Sequence, residues 1–558
     1  MEGIPMPEKR TVVCAWFFIV LGILVFVYHS ILILNNPHYF WAPAIDQKTF
    51  GSIALNFLDG LGPRFDALEP YQFSSEIKTL DCYYFSFLHP LLIAGLMKLT
   101  NSRSFYPILF STALYMALLI PLTWLTLRKI VSPAVAFFGA LFISLSPIFI
   151  TLGPSGQSEP LMLLELILIL YLILKKGNPI FISLLAGLMA GAMNVTRPTG
   201  MVLAPAFLYI FWKMRGLRGL LFFATGFALV TAWGNALMVE SPLQYSRLAY
   251  PVIVSQEFGG LSALDYTFEP KSPIATNLTH WRPIIQKTLQ FSFQFLNKLP
   301  DFWGDLWVFV PPLFLILWRR RRMWSVFLIL IFSISTLSVV GFFPPSPRVN
   351  IHLQPIVMGL TFLYLQLLSK SLSKWLWIRA CVFALPLALL LSERLSGNGG
   401  RLVIEVIFAT VLVLGYFSNS FHRKVRRFRP TMALTFVLAV FLLSFNSHLK
   451  AVHRWLKPAE LYPFQQSMMA LRSSIPANSI ILSDDIRDIT WFSRLRGVYL
   501  PRNFFDFARY LKTFNEKKFV VLVEPPSEEF RATLLAAGFH EWSLGLPSLI
   551  VFGESNQK

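Results

Sequence analysis

The chain has 558 residues, 55% of them hydrophobic and only 14% charged, with a mean hydropathy of +0.57. Few soluble domains of this length hide so much apolar surface from water, so lipid must solvate most of it. The formal net charge of +20 does not point to nucleic acid: much of it sits in clusters just outside apolar runs, at Lys9-Arg10, Arg128-Lys129, Lys175-Lys176, Lys213 to Arg218, Arg319 to Arg322 and Arg423 to Arg429. The positive-inside rule and attraction to anionic membrane lipids account for such clusters as cytoplasmic anchors. Of the three cysteines, Cys14 and Cys381 fall in or beside apolar runs and only Cys82 lies in an extramembrane stretch, so no disulfide framework or metal knuckle can be built.

The first apolar run, about Val12 to Leu34, is too long for a signal-peptide core and is expected to remain as an anchor with its N-terminus cytoplasmic. The loop that follows, Asn35 to Tyr84, is then external. Within it Phe50, Ile53, Ala54, Phe57 and Leu58 recur at helical spacing, which predicts an amphipathic helix lying flat on the membrane. Asp46 marks its start and Gly60-Leu-Gly-Pro63 its stop. The run from Phe85 to Met97 is short and holds His89-Pro90. It must not cross if Arg103 is outside and Arg128-Lys129 inside, so it is placed in the outer interface.

The later basic clusters fix the remaining topology. The loops near Glu159, Arg197, Glu240 to Leu299, Arg348 and Glu393 are external, and a last span, about Thr431 to Phe445, delivers the C-terminal region outside. An odd number of crossings is then required, and about fourteen apolar candidates reduce to about thirteen spanning helices. Gly187 and Gly191 form a small-xxx-small pair for close helix packing. After His448 polar residues rise, and β-rich runs at Ser479 to Ser483, Phe519 to Val523 and Ser548 to Phe552 alternate with helical patterns such as Ser527 to Ala537. The fold class is therefore an all-α polytopic membrane protein, residues 1–447 with external loops 35–84 and 240–299, followed by a small external α/β domain, residues 448–558. Asp484, Asp485 and Asp488 fall at a strand-to-helix junction, where acidic residues usually cap helices; a metal site is the competing reading.

Ionisable groups at the membrane border are costly unless paired or hydrated, so their positions carry information. Asp46 either caps the interfacial helix or serves as a base at the bilayer surface that takes a proton from an acceptor hydroxyl or amine. Glu159, followed by Pro160, stands where a span begins, a capping context. Arg197, in Asn-Val-Thr-Arg-Pro-Thr-Gly, breaks the rule that external loops avoid basic residues, which points to an anionic partner. Arg348, with His352 one turn on, is a second external arginine; the two arginines either grip a phosphate or snorkel to lipid head groups.

Several of these stretches resemble one family. Ala-Pro-Ala-Ile-Asp-Gln ending at Gln47, followed by an amphipathic helix, resembles the first external loop of the membrane-embedded GT-C glycosyltransferases, the class that includes protein O-mannosyltransferases and lipid A aminoarabinose transferases. Phe-Leu-His-Pro-Leu-Leu from Phe87 is similar to their His/Tyr-Pro-Pro-Leu segment, with one proline here. Ser158-Glu-Pro-Leu, Ala-Gly-Leu-Met-Ala-Gly from Ala186 and Thr196-Arg-Pro-Thr-Gly resemble their most recurrent stretch, in the same order. The resemblance implies Asp46 as catalytic base, Arg197 and Arg348 on the lipid-carrier phosphate, and Glu159, His89 and His352 lining the substrate site. Family members often carry a second acidic residue beside the loop aspartate; Gln47 stands there instead, which puts a metal bridged by an acidic pair in doubt.

The implied activity is transfer of a sugar from a polyprenyl-phosphate donor to an external glycolipid, polysaccharide or protein, with inversion at the anomeric carbon. The implied partners are that donor, the acceptor and membrane lipids. No cofactor is certain, a divalent metal stays open but finds no clear ligand set, and no glycine-rich phosphate loop follows a strand. A lipid-linked sugar flippase or transporter is the rival; it calls for ionisable residues along the middle of the spans, whereas the charges noted here gather at the external border. The short loops fit a bacterial inner membrane with a periplasmic site and C-terminal domain.

Overall fold

The computed structural model describes residues 8–35, 45–65, 67–68, 82–83, 87–144, 149, 152–197, 199–236, 289, 322–335, 356, 359, 363, 463–500, 516–523, 525–546 and 549–554. Arg348, His352, Glu393, the Arg423 to Arg429 cluster, the last expected span and nearly all of the loop 240–299 lie outside them.

Four helices are long and apolar enough to cross a membrane among the described residues. The first, α1 (Glu8–Asn35), turns Trp16, Val20, Ile23, Val27 and Ile31 outward, apolar side chains that suit lipid contact. It runs antiparallel to α4 (Tyr106–Leu127): Phe18 stacks on Trp124 at 5.5 Å, Gly22 faces Ala117, and Phe26 meets Phe110. At the C-terminal end of α4, Arg128 covers the Trp124 ring at 4.8 Å.

Between these two in the chain lie the described parts of the loop 35–84. Helix α2 (Ile45–Leu58) is followed by three two-residue strands, β1 (Arg64–Phe65), β2 (Ala67–Leu68) and β3 (Cys82–Tyr83), with β1 antiparallel to β3. Helix α3 (Leu88–Thr100) begins three residues later than the pattern predicts and ends at Asn101, whose left-handed backbone turns the chain. At 13 residues it reaches about 20 Å, short of the hydrocarbon thickness. Arg103, just beyond it, pairs with Asp59 at the end of α2 at 2.7 Å, so the two helices share one side of the bundle.

After α5 (Pro133–Ser144) the loop 152–158 leads into α6 (Glu159–Leu174), which is followed by α7 (Pro179–Thr196). Helix α8 (Thr199–Ala236) is continuous only in hydrogen-bond assignment. At Gly216 the backbone adopts φ 70°, ψ −166°, a region open essentially to glycine alone, and the chain doubles back. Phe211 of the first half stacks on Phe223 of the second at 4.9 Å. The second half runs parallel to α7, with Gly187 against the Phe223 backbone and Gly191 against Phe227 and Val230, so the small-residue pair works as expected. Arg215, at the reversal, donates to the Leu172 and Lys175 carbonyls at 3.2 and 2.9 Å. The Lys213 to Arg218 cluster therefore joins Lys175-Lys176 at one end of the bundle, opposite Arg197. Helix α9 (Arg322–Ser335) packs on α8 through Phe327 and Phe207.

The C-terminal unit contains α10 (Pro463–Ser474), β4 (Ile480–Ser483), α11 (Ile486–Ser493), β5 (Arg496–Tyr499), β6 (Lys518–Leu522), α12 (Glu528–Ala536), β7 (Phe539–Trp542) and β8 (Ile550–Glu554). The mixed sheet has the order β2-β5-β4-β6-β8-β7, parallel from β2 to β6 and antiparallel beyond. The central strands β4 and β6 are buried on both faces, which matches their near-continuous apolar sequences. The sheet is not built from the C-terminal region alone: Ala67 and Leu68 of the first loop pair with Gly497 and Val498.

That pairing corrects the expectation for α2. One apolar core runs from Phe50, Ile53 and Ala54 of α2, through Ile93 and Ile108, to Met468, Ile489 and Trp491 of the C-terminal unit. Gln47, Lys48, Thr49, Ser52 and Asn56 are buried too. The helix is amphipathic in sequence but covered by protein on its polar side as well, so it is not a helix with one wet face. Periodicity reports which face is apolar; it cannot report that a distant domain will close over the other.

Candidate functional site

The site centres on the junction of α6 and α7. Ser158 holds the N-cap position of α6, but its hydroxyl accepts a hydrogen bond from Arg197 Nη1 at 3.3 Å and makes no cap bond. Glu159 follows in the first turn, where the helix dipole favours a carboxylate. Its side chain is fully buried and pairs with Arg197 Nη1 at 2.7 Å; the arginine keeps about a quarter of its side chain exposed. Arg197 caps the C-terminus of α7 in extended conformation, its backbone N–H held by the Met193 carbonyl at 2.8 Å. The sequence reading placed both residues correctly at helix ends; the structure adds that they are partners.

Three elements fasten the loop ahead of Glu159. From α2, the Gln47 amide nitrogen donates to the Ser155 carbonyl. From α4, the Thr112 hydroxyl donates to the Gly153 carbonyl at 2.6 Å and accepts from the Gly156 N–H at 3.1 Å. From α3, His89 Nε2 lies 3.4 Å from the Gly156 carbonyl. Because that partner is an acceptor, Nε2 carries the hydrogen. Gly156 sits at φ +65°, a backbone open to glycine, with Ile108, Leu109 and Gln47 close by.

His89 is fully buried between the edges of Phe50 and Tyr115, at 5.1 and 5.8 Å. Desolvation pushes its pKa down to about 4 against the Gly156 carbonyl and Glu159, which favour the charged form, with Arg197 adding to the depression. The imidazole is therefore neutral at neutral pH. Its Nδ1 is buried with no hydrogen-bond partner among the described residues.

Asp46 lies in the first turn of α2, one residue past its start. The next residue, Gln47, reaches the loop that leads to Glu159, so the backbone brings Asp46, His89, Glu159 and Arg197 to one end of the bundle. Arg348 and His352 fall outside the described residues.

Sequence reasoning leaves out Thr112 and Glu165, and takes Gln47 only as the place of a missing acid. Glu165 is a buried carboxyl about 9 Å below Glu159 along α6, accepting from the Thr196 hydroxyl at 2.9 Å. A lone acid within an apolar helix was the available signal, and it shows that the charges are not confined to the border. Among the described residues no three His, Cys, Asp or Glu side chains converge as metal ligands. The residues that are described fit a bridging divalent ion poorly. Gln47 offers an uncharged oxygen where a second acid would stand, and the Glu159 carboxylate is matched by Arg197. At the other strand-to-helix junction Asp485 occupies the N-cap position of α11.

Residues 86–239, which include His89, Glu159 and Arg197 but neither Asp46 nor Arg348, match the family model described as dolichyl-phosphate-mannose-protein mannosyltransferase. The fold is similar to the crystal structure of ArnT from Cupriavidus metallidurans bound to undecaprenyl phosphate, with a TM-score of 0.54 at 12% identity over 99% of both chains. It is also similar to the Archaeoglobus fulgidus oligosaccharyltransferase in its apo form, with a TM-score of 0.51 at 13% identity over 98% of this chain and 75% of that one. The same archaeal enzyme in complex with an inhibitory peptide and a dolichol-phosphate gives 0.50 at 12% identity, over 97% and 75%. A comparison with curated proteins finds no match in sequence.

The class is thereby set: a multi-pass membrane protein with the ArnT-like helical fold and a small C-terminal mixed sheet. The matched stretch, residues 86–239, is less than half of the chain and is similar to the dolichyl-phosphate-mannose-protein mannosyltransferase family.

Proposed function

We propose that this protein transfers a sugar from a polyprenyl-phosphate donor to a hydroxyl or amine of a glycolipid, polysaccharide or protein at the external face of the membrane. The acceptor oxygen or nitrogen attacks the anomeric carbon, and the bond to the phosphate oxygen breaks with its electron pair leaving on the lipid phosphate. The acceptor proton passes to Asp46. Attack from the face opposite the leaving group inverts the configuration. Arg197, joined by Arg348 and His352, stabilises the charge growing on the phosphate.

The observation that carries this reading is the Glu159–Arg197 pair, a fixed and partly exposed guanidinium at a helix end, connected to the Asp46-bearing turn through Gln47 and the loop 153–157. ArnT bound to undecaprenyl phosphate and the archaeal enzyme with a dolichol-phosphate support the carrier-lipid class. The same reading carries about thirteen crossings, a membrane unit over 1–447, an external domain over 448–558 and a bacterial inner membrane with the site facing the periplasm.

Its test is transfer from radiolabelled polyprenyl-phosphate sugars in proteoliposomes, comparing the native chain with Asp46→Asn. Loss of a general base lowers the rate by about 10²–10⁴-fold. Unchanged transfer in that variant would remove Asp46 from the chemistry, and lipid crossing without transfer would make the protein a flippase.

A further inference from the structure

Helix α2 is held from two sides. Below it, Gln47 is tied to the loop that precedes Glu159. Above it, α11 of the C-terminal unit presses Trp491 onto Gly51, so closely that a β-carbon there would sit 2.7 Å from Trp491 Cη2 and as near to Ile108 Cδ1. Glycine is what permits this contact; an aromatic ring lying where a side chain would start fixes both the rotation and the depth of the helix. Trp491 is itself immobilised. The Phe105 ring meets it edge-on at 5.7 Å, and the Arg494 guanidinium lies 4.1 Å above it, carried there by the left-handed backbone that ends α11. One turn before Gly51, Lys48 is buried with its ammonium 6.0 Å from the Phe492 ring. The loop beyond α2 is also captured, since β2 lengthens the C-terminal sheet through Ala67 and Leu68.

We infer that Trp491 is a positioning residue for the transfer reaction, setting the placement of α2 and through it that of Asp46. The inference rests on the reading of Asp46 as the base. A base acts only within hydrogen-bond reach of the proton it removes, and a displacement of about 1 Å is enough to lower a rate on the order of 100-fold. The C-terminal unit is then part of the catalytic apparatus.

The test uses the full chain in proteoliposomes, with kcat, donor KM and melting temperature measured for Trp491→Leu, Trp491→Phe, Gly51→Ala and the Gly51→Ala/Trp491→Leu double variant. Trp491→Leu lowers kcat about tenfold or more with donor KM unchanged, and Trp491→Phe, which keeps a ring, recovers most of the loss. Gly51→Ala alone also lowers kcat; in the double variant the methyl group enters the vacated space, so the two losses are not additive. Should Trp491→Leu fail to fold, Gly51→Ala and Trp491→Phe still read the contact. A lowered melting temperature with native kcat per folded molecule, additive effects in the double variant, or a raised donor KM at native kcat would each overturn the inference. Activity in Asp46→Asn would instead overturn the reading of the base, so the two failures are separable.

Discussion

The α6–α7 junction and the cradle of α2 are both buried, polar and at the same end of the bundle, yet they are built on opposite principles. At the junction, two residues on adjacent elements meet as charges, and the geometry follows from where two helices end. In the cradle, four stretches far apart in the chain meet by shape, with Gly51 accepting Trp491, β2 completing a distant sheet and Gln47 reaching a loop carbonyl. Charge sets which partner is tolerated at the first; fit sets position at the second. A catalytic surface at a membrane border needs both, because a fixed cation without a placed base binds donor and does nothing further with it.

The largest effect expected from disturbing this comparison is at the junction. Arg197→Ala takes a guanidinium away from the fully buried Glu159 carboxylate, which costs up to about 3–5 kcal/mol of stability as well as phosphate affinity. Glu159→Gln costs distinctly less, because the partly exposed guanidinium can rehydrate and still has an amide oxygen and the Ser158 hydroxyl beside it. Thermal unfolding of the two single variants and the double variant measures the asymmetry. Equal losses for the two single variants would mean that burial does not distinguish the partners.

A smaller effect is expected in the cradle. Gln47→Glu sets a carboxylate oxygen against the Ser155 carbonyl in place of an N–H donor, a loss of about 1–3 kcal/mol if the group stays buried. Transfer falls, and added divalent cation does not restore it, because the glutamine is there to hold the loop. Restoration by manganese or magnesium would show that an acidic pair at positions 46 and 47 had become an ion site, and would break the contrast between a charge-built junction and a shape-built cradle.

The two regions also differ in how far the chain revealed them in advance. Glu159 and Arg197 stood out because each is a charged residue at the end of an apolar run, a local property that periodicity and the positive-inside rule expose. The strands at 480–483, 518–522 and 550–554 and the helix at 528–536 fall where their alternation placed them. Strand β2 could not be foreseen from two residues inside a long loop, since its existence depends on pairing with Gly497 and Val498 more than 400 positions away. The reversal at Gly216 falls inside the Lys213 to Arg218 cluster, where a basic anchor between two external loops already implied a turn; the contact of Phe211 with Phe223 across it is what the pattern did not show. Gln47 looked like a missing acid and is a latch. For β2 and for Gln47 the deciding interaction is between distant segments, which no local pattern records.

The smallest expected effect belongs to His89, which touches both regions: its ring lies against Phe50 of α2, and its Nε2 faces the Gly156 carbonyl of the loop before Glu159. Its pKa in the folded protein, about 4, lies below the ordinary 6.5 because burial disfavours the imidazolium more than the nearby carbonyl and carboxylate favour it. Between those two values the unfolded chain binds a proton that the native protein refuses. Stability therefore declines as pH falls from about 6.5 towards 4 and is insensitive to this group above that window. His89→Gln keeps a donor for the Gly156 carbonyl and does not titrate, so its melting temperature should fall less steeply over the same range, with the curves of the two proteins differing in slope from pH 6.5 downward. Parallel curves would mean that the ring takes up its proton in the folded state. The wedge between Phe50 and Tyr115 would then be hydrated, and the α2 cradle would be open to water at the one point where it borders the junction.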